Sequence, residues 1–307
     1  MNYKDKKEIN ELIKNGRKNK IIAILGPCSI SNIKYAIVYS KILKIFQRKL
    51  KKLIILMRIY LEKPRTTIGW KGYIYDPDIN YSYRIKKGIN NSIFLLNKIN
   101  KKIKICTEFL NNSITKFILR YISIGTIGAR NVNSQIHREL VSDLEIPIGY
   151  KNDINGNTNN AINSIFASNF STICNYINKK QLKLKFKITK GNNNCFLILR
   201  GSEKKPNYYL KNIEKIIENN KKVKIMIDFS HGNSKKICKN QIKICNYFCK
   251  YLINIKNIIG ILIESNISSG NIKLKKQMIF NKKKSLTDEC LSIKKSFLII
   301  KKINKMI

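Results

Sequence analysis

The most informative stretch of the sequence covers residues 53–72 and reads LIILMRIYLEKPRTTIGWKG. It opens with a continuous apolar run at residues 53–57, which is typical of a strand buried on both faces. The cations that follow are Arg58, Lys63, Arg65 and Lys71. Pro64 fixes its own φ and favours an extended conformation at Lys63, so the sequence predicts a defined turn. Such an array suits phosphates and carboxylates, although a solvated basic loop fits this stretch alone equally well.

The same pattern of an apolar run followed by a polar residue occurs eight times along the chain. The runs cover residues 21–25, 53–57, 103–106, 124–129, 146–150, 196–199, 223–227 and 258–263, and the polar residues after them are Cys28, Arg58, Glu108, Arg130, Lys151, Arg200, His231 and Glu264. Eight strand–helix units predict an α/β fold, a closed (β/α)8 TIM barrel with its chemistry at the carboxyl ends of the strands. An open doubly wound sheet is the alternative, but polar chemistry at every strand end favours closure.

The predicted domain organisation is a single catalytic barrel with two additions. Residues 1–20 are expected to form a short N-terminal helical extension, and residues 21–307 the barrel. Residues 182–188, LKLKFKI, alternate strictly between polar and apolar, which predicts one strand of an antiparallel hairpin inserted around residues 172–192. Residues 291–307 are predicted to form an amphipathic helix at the C-terminal end.

The composition is strongly basic, with 61 lysines and arginines, 18 acidic residues and a net charge of +43. A charge of this size would normally indicate a nucleic acid or membrane partner. Here the lysines are spread along the whole chain among Ile and Asn, the residues written by A/T-rich codons, so genomic drift explains the bias better. We therefore expect no nucleic-acid partner.

The cysteines and the apolar segments indicate a reducing compartment. The chain has eight cysteines with no CxxC pair, a charged N-terminus without a signal-peptide core, and no apolar run of about eighteen residues. The sequence therefore predicts a cytoplasmic protein with free thiols and no membrane partner.

The polar residues at the strand ends form two chemical sets. Cys28, His231, Glu264 and, later in the chain, Asp288 offer a mixed set of sulfur, nitrogen and oxygen donors. Such a set suits a first-row divalent metal, provided that the barrel brings the four together. The second set consists of the cations Arg58, Arg130, Lys151 and Arg200. Burying four positive charges at one barrel mouth requires a multiply charged anion, which indicates a phosphorylated small-molecule substrate.

Nine ordered motifs carry a resemblance to a known family. They are GPCSI (26–30), MRIYLEKPRTTIGWKG (57–72), TEFL (107–110), IGAR (127–130), SQIHREL (134–140), GYKN (149–152), ILRG (198–201), IDFSHGNS (227–234) and SLTDEC (285–290). Between about residues 20 and 290 the chain resembles type I 3-deoxy-D-arabino-heptulosonate 7-phosphate (DAHP) synthases of the bacterial, aromatic-amino-acid-sensitive kind. The resemblance implies a transferase that condenses phosphoenolpyruvate with erythrose 4-phosphate and opens the shikimate pathway to aromatic amino acids.

The resemblance also implies a role for each matching site residue. The metal ligands would be Cys28, His231, Glu264 and Asp288, holding one divalent transition metal (Mn, Fe, Co or similar) that polarises the aldehyde. The phosphoenolpyruvate ligands would be Arg58, Ala129, Arg130, Lys151 and Arg200, and the erythrose 4-phosphate ligands Lys63, Pro64, Arg65 and Thr66. Lys63, Glu108 and His231 would act in catalysis, with Glu108 helping to position water. The family also implies a homo-oligomer, a dimer or a tetramer.

Two departures from the family pattern concern regulation. Relatives carry a longer N-terminal arm that takes part in subunit contacts and feedback inhibition, whereas about 20 residues precede the first predicted strand here. Asp143 and Glu145 stand where relatives usually have small residues lining the effector pocket. The sequence therefore predicts weak or absent feedback by Phe, Tyr or Trp.

Three alternative interpretations compete with this hypothesis. The related octulosonate 8-phosphate synthases use arabinose 5-phosphate, but the KPRTTIGW motif at residues 63–70 favours the four-carbon sugar. A nucleic-acid-binding protein would cluster its cations with aromatic residues, and they are not clustered in this way. An inactive relic would not be expected to keep every ligand and clamp residue.

Overall fold

Eight parallel strands close into a barrel in the computed structural model, which describes residues 3–178, 183–272 and 283–307. The strands in chain order are β1 (Ile21–Gly26), β2 (Leu53–Arg58), β3 (Lys104–Glu108), β4 (Ile124–Ile127), β5 (Ile148–Lys151), β6 (Ile173–Asn178), β7 (Lys183–Ile188), β8 (Cys195–Leu199), β9 (Ile225–Asp228), β10 (Ile258–Asn266) and β11 (Leu291–Ser292). The barrel order is β1-β2-β3-β4-β5-β8-β9-β10, and β10 pairs back onto β1 from Ile22↔Gly260 to Gly26↔Glu264. This last pairing confirms the predicted closed barrel and excludes an open sheet.

Helices alternate with these strands. They are α1 (Tyr3–Asn15), α2 (Ile33–Lys49), α3 (Ile85–Asn100), α4 (Asn112–Ile118), α5 (Gln135–Ser142), α6 (Asn159–Asn169), α7 (Leu210–Asn219), α8 (Asn240–Tyr247) and α9 (Ile293–Met306). The helical C-terminal segment predicted from residue 291 is confirmed by α9. Among the described helices, none combines the length and apolar character that crossing a bilayer requires.

The strands are apolar throughout because each has two faces to bury. In β1, Ile21, Ala23 and Leu25 pack in the large cluster that contains the helix residues. Ile22 and Ile24 belong to a second cluster inside the barrel. The two clusters explain the continuous apolar runs of the sequence, since a strand with one solvated face would alternate.

The floor of the barrel is closed by α1. Its apolar residues Ile9, Leu12 and Ile13 are buried in the same cluster as the inward-facing strand residues. The helix ends at Gly16, whose N–H donates to Leu12 O and whose φ is +80°, a conformation that favours glycine. The division of the chain at residue 20 stays a prediction, but α1 shares its core with the barrel.

The hairpin after α6 consists of β6 and β7, which pair antiparallel from Ile173↔Ile188 to Asn178↔Lys183. The inserted hairpin predicted around residues 172–192 is therefore present, while residues 179–182, which include the predicted strand residue Leu182, lie outside the described part of the chain. Lys187 on β7 forms an ion pair with Asp143 at the end of α5 (Nζ–Oδ1 2.5 Å). This contact ties the hairpin to the barrel.

Truncating Ile13 to alanine is expected to lower the free energy of unfolding by about 2–5 kcal/mol, because it opens a cavity in the barrel floor. Urea unfolding followed by circular dichroism measures the change. The exposed neighbour Lys14, replaced by alanine, is the matched control and should shift stability by less than about 0.5 kcal/mol. Equal stability of both variants and the wild type would contradict the assignment of α1 to the core.

Candidate active site

Three of the four predicted metal ligands lie together at the carboxyl ends of the strands. One ligand atom each from Cys28, Glu264 and Asp288 falls within a common distance of 4.8 Å. The fourth, His231, has its Nε2 3.5 Å from Glu264 Oε1. Closure of the barrel produces this arrangement, because Gly26 on β1 pairs with Glu264 on β10 and brings Cys28 beside it.

The chemistry of this cluster fits a divalent transition metal. Glu264 is 1% exposed, and its Oε1 lies 2.9 Å from Arg58 Nη2 as an ion pair but accepts no hydrogen bond among the described residues. A buried carboxylate oxygen that accepts no hydrogen bond is costly, and a bound cation would satisfy it. The thiol of Cys28 and the ring nitrogen of His231 add the softer donors that favour Mn, Fe, Co or Zn over Mg or Ca.

The tautomer of His231 is set by Asp228. Nδ1 of the ring lies 2.7 Å from Asp228 Oδ2, and because a carboxylate only accepts, Nδ1 carries the proton. Although burial raises the pKa of Asp228, the adjacent His231 holds it well below its usual range. Nε2 is therefore left with a free lone pair on the side of Glu264, as a metal-binding histidine requires.

Arg58 lies under this cluster and is completely buried. Its Nη2 is 2.9 Å from Glu264 Oε1, its Nη1 donates to Pro27 O, and its guanidinium stacks over Tyr60 at 3.6 Å from the ring centroid. Nε and Nη2 of Arg58 nevertheless lack a hydrogen-bond partner in the described structure. These two N–H groups are the donors that a bound carboxylate or phosphate would use.

A second buried ion pair joins β3 to β5. Lys151 Nζ donates to Glu108 Oε2 at 2.6 Å, and both side chains are nearly inaccessible to solvent. Burial alone raises the pKa of Glu108, but the charge and hydrogen bond of Lys151 outweigh it and lower the pKa to about 2. Glu108 therefore stays ionised, and Gly128 makes room for it, since a Cβ there would lie 2.7 Å from Glu108 Oε1.

A cavity of about 450 Å³ opens beside these pairs. Its lining residues include the four cations Lys63, Arg65, Lys71 and Arg130 and the proline Pro64. The loop that carries most of them is closed at its base, where the N–H of Lys63 donates to Lys71 O at 3.0 Å. Lys63 also reaches the metal cluster, with its Nζ 3.2 Å from Cys28 Sγ.

The remaining predicted residues surround the same mouth. Thr66 accepts a hydrogen bond from Arg130 Nε at 3.0 Å, which joins the predicted sugar-phosphate loop to the predicted phosphoenolpyruvate clamp. Ala129 lies half-buried in the turn after β4, next to Arg130. Arg200 follows β8 and is held by its backbone, whose N–H donates to Asn152 Oδ1 at 2.8 Å. The barrel thus gathers every predicted site residue at one end.

Comparison with known proteins agrees with this geometry. The family model described as "DAHP synthetase I family" matches residues 4–300. The chain belongs to the DAHP synthetase I family.

Individual relatives extend the family match. A phospho-2-dehydro-3-deoxyheptonate aldolase of Haemophilus influenzae is 36% identical over 287 residues, covering 90% of this chain and 78% of the relative. The phenylalanine-inhibited enzyme of Saccharomyces cerevisiae is 38% identical over 275 residues, covering 86% and 74% of the two chains. The solved phospho-2-dehydro-3-deoxyheptonate aldolase of Francisella tularensis superposes with a TM-score of 0.94 at 35% identity, over 99% of this chain and 90% of that one. The predicted resemblance to a DAHP synthase enzyme is confirmed.

Several residues of this DAHP synthetase I family site were not identified from the sequence as having a role. Asp228 could have been found, because an aspartate three residues before the histidine of IDFSHG is a usual partner for a ligating imidazole. Tyr60 and Glu62 gave no such signal. Both stand among strand and loop residues, and only the closed barrel shows that they are buried against the site.

Replacing Asp228 by asparagine is expected to weaken Mn(II) binding about 10–100-fold. Asp228 Oδ1 accepts from the backbone N–H of Ser230 at 2.8 Å, so the asparagine oxygen must stay there and its amide NH₂ must face His231 Nδ1. That donor forces the ring proton onto Nε2 and removes the free lone pair.

Calorimetric titration of chelator-treated protein with Mn(II) measures the affinity. The matched control is Asp78→Asn, which removes a surface carboxylate that pairs with Lys87 and should leave the affinity unchanged. An unaltered dissociation constant for Asp228→Asn would contradict the assigned tautomer.

Proposed function

We propose that this chain is a metal-dependent DAHP synthase. The reaction is the condensation of phosphoenolpyruvate with D-erythrose 4-phosphate and water to give DAHP and phosphate, the first step of the shikimate pathway. One observation carries the proposal: a metal-suited donor cluster and a cation-lined cavity meet at Lys63, whose Nζ contacts Cys28 Sγ and whose side chain lines the cavity. Two anionic substrates bound on either side of this lysine would have their reacting carbons brought together.

Phosphoenolpyruvate is assigned to the buried side of the mouth. Arg58, Ala129, Arg130, Lys151 and Arg200 are its proposed ligands. The Nε of Arg58, which has no hydrogen-bond partner among the described residues, supports this assignment, because an anion there would satisfy that donor. Arg58, Lys151 and Arg200 are buried whereas Arg130 is exposed, and a multiply charged ligand would offset the cost of keeping the three buried cations away from water.

Erythrose 4-phosphate is assigned to the cavity. Lys63, Pro64, Arg65 and Thr66 are its proposed ligands, and the bidentate geometry of Arg65 suits a phosphate. The Arg65 side chain is already oriented, since its Nε donates to Trp70 O at 2.8 Å. The hydrogen bond from Arg130 to Thr66 supports two adjoining substrate sites, because it joins a proposed ligand of one substrate to a proposed ligand of the other.

The proposed chemistry is divided among the metal ligands, Glu108 and Lys63. Cys28, His231, Glu264 and Asp288 would hold a divalent transition metal such as Mn, Fe or Co, which supplies Lewis acidity toward the aldehyde. Glu108, ionised by its pairing with Lys151, is the proposed acceptor that orients a water toward C2 of phosphoenolpyruvate. Lys63 is the proposed neutralising group between the two substrates.

We further propose a cytoplasmic homo-oligomer, a dimer or a tetramer, without a nucleic-acid or membrane partner. The hairpin exposes Ile173, Phe186 and Ile188, with 59, 67 and 74% of their surfaces accessible. Large apolar side chains grouped on one protruding element are what a contact with a second copy would cover.

The function is tested by turnover with phosphoenolpyruvate and erythrose 4-phosphate. Chelator treatment should abolish phosphate release, and Mn, Fe or Co should restore it. Arabinose 5-phosphate in place of erythrose 4-phosphate should give a kcat/KM at least about 10-fold lower, since the KPRTT loop is expected to fit the shorter sugar. Full activity after exhaustive chelation would contradict the metal role, and a preference for the pentose phosphate would move the chain to the octulosonate class.

Feedback inhibition is expected to be weak or absent. Asp143 is engaged in the ion pair with Lys187, and Glu145 is exposed, so both place a carboxylate near the α5–β5 connection. Assays with up to millimolar Phe, Tyr and Trp should leave most activity intact. Strong inhibition at micromolar concentrations of any of the three would contradict this expectation.

A further inference from the structure

Glu62 is a buried carboxyl group that the proposed chemistry does not use. It is 4% exposed and directly precedes Lys63 in the chain. No lysine or arginine in the described ranges forms an ion pair with it, although the chain has 61 such residues. A buried carboxylate without a cation is unfavourable, so its presence beside a substrate-binding loop points to a requirement for function.

Two segments of the cavity wall are joined by Glu62. Its Oε1 accepts from the Tyr75 hydroxyl at 3.0 Å, and its Oε2 accepts from the backbone N–H of Asn111 at 3.4 Å. Asn111 Nδ2 in turn donates to the Tyr75 hydroxyl oxygen at 3.2 Å, which directs the hydroxyl proton toward Glu62. The three groups form a closed ring of hydrogen bonds that needs two acceptors on one side chain.

The groups that Glu62 holds are parts of the cavity surface. Tyr75 lines the cavity, and so does Leu110, the residue before Asn111. Glu62 is not one of the lining residues. We propose that Glu62 is a positioning residue for the sugar-phosphate end of the site, which fixes Tyr75 and the Leu110–Asn111 segment without touching the substrate. This inference rests on the proposed function, because it assumes that erythrose 4-phosphate occupies the cavity.

The requirement for two acceptors explains why an acid stands here. A glutamine would accept from Tyr75 but would present an NH₂ group to the N–H of Asn111, so one contact would be lost. The acid is kept although its pKa is raised to about 7. Burial raises the pKa most and the charge of Glu108 adds to the rise, while the hydrogen bonds from Tyr75 and from the backbone of Asn111 and Leu110 oppose it. Tyr75 and Glu108 are the titratable groups that act on it, and Lys63 is its charged neighbour in the chain.

The test uses the metal-loaded enzyme with Glu62→Gln, Tyr75→Phe and the double variant. Each single variant should raise the KM for erythrose 4-phosphate by roughly 10-fold, while kcat and the KM for phosphoenolpyruvate change less than about twofold. The double variant should be no worse than the more impaired single variant, because both changes break the same ring. Asp78→Asn, which removes a surface carboxylate from the same connection, should match the wild type.

A second measurement tests the buried, cation-free state of Glu62 independently of turnover. A carboxyl group whose pKa is raised on folding is most stabilising when protonated, so its contribution falls as pH rises toward 7. Between pH 5.5 and 8.5, the Tm of Glu62→Gln relative to the wild type should therefore rise by roughly 3–5 °C. A Tm difference that stays constant over this range would contradict the buried, unpaired carboxyl group, and the positioning role itself is read from the separate KM values.

The outcomes are distinguishable from a failure of the proposed function. If the wild type does not turn over the two substrates, the proposed function is wrong. If it does, and Glu62→Gln leaves the KM for erythrose 4-phosphate unchanged or raises both KM values equally, the positioning role of Glu62 is overturned.

Discussion

The ion pair between Arg58 and Glu264 is the interaction on which the barrel mouth depends. Arg58 ends β2 and Glu264 lies near the C-terminal end of β10, and these strands flank β1, so the pair spans the point where the barrel closes. Breaking a buried pair by removing one partner typically costs about 3–5 kcal/mol, because the other charge remains buried. The close approach also fixes β1, since a Cβ on Gly26 would lie 2.3 Å from Arg58 O.

The same pair bears on how the proposed site would receive its ligands. Arg58 Nη2 and Glu264 Oε1 face each other at 2.9 Å as an ion pair without hydrogen-bond geometry, and Arg58 Nε has no hydrogen-bond partner within the described protein. Such groups reduce stability in the free protein, but they are held in place by packing around the Tyr60 ring and need no rearrangement when an anion and a cation bind. A fully satisfied network would be more stable and would leave nothing for the substrate or the metal to contact.

Much of this fold could be predicted from the sequence. A closed parallel barrel buries both faces of each strand, so each of its eight strands appears in the sequence as a continuous apolar run. The strand-end residues of the predicted site followed from their position after those runs, whereas the roles of Lys63, Pro64, Arg65, Thr66 and Ala129 came from the family resemblance. The burial of α1 was harder to predict. Ile9 and Leu12 show an apolar face, but the barrel floor that covers this face exists only after closure. The burial of Glu62 could not be predicted for the same reason, since it depends on Tyr75 and Asn111, which lie 13 and 49 positions away along the chain.

Composition also explains which residues carry information in this chain. Lysine is so common that composition says little about any single lysine. Lys63 and Lys151 stand out in the sequence by their motifs and positions, and in the structure by their packing. Acidic residues number 18, and five of them lie at the barrel mouth: Glu62, Glu108, Asp228, Glu264 and Asp288. In a protein of net charge +43, each buried acid both lowers the repulsion among nearby cations and supplies acceptors that lysine cannot. The positions of the acids therefore mark the active site more sharply than those of the bases.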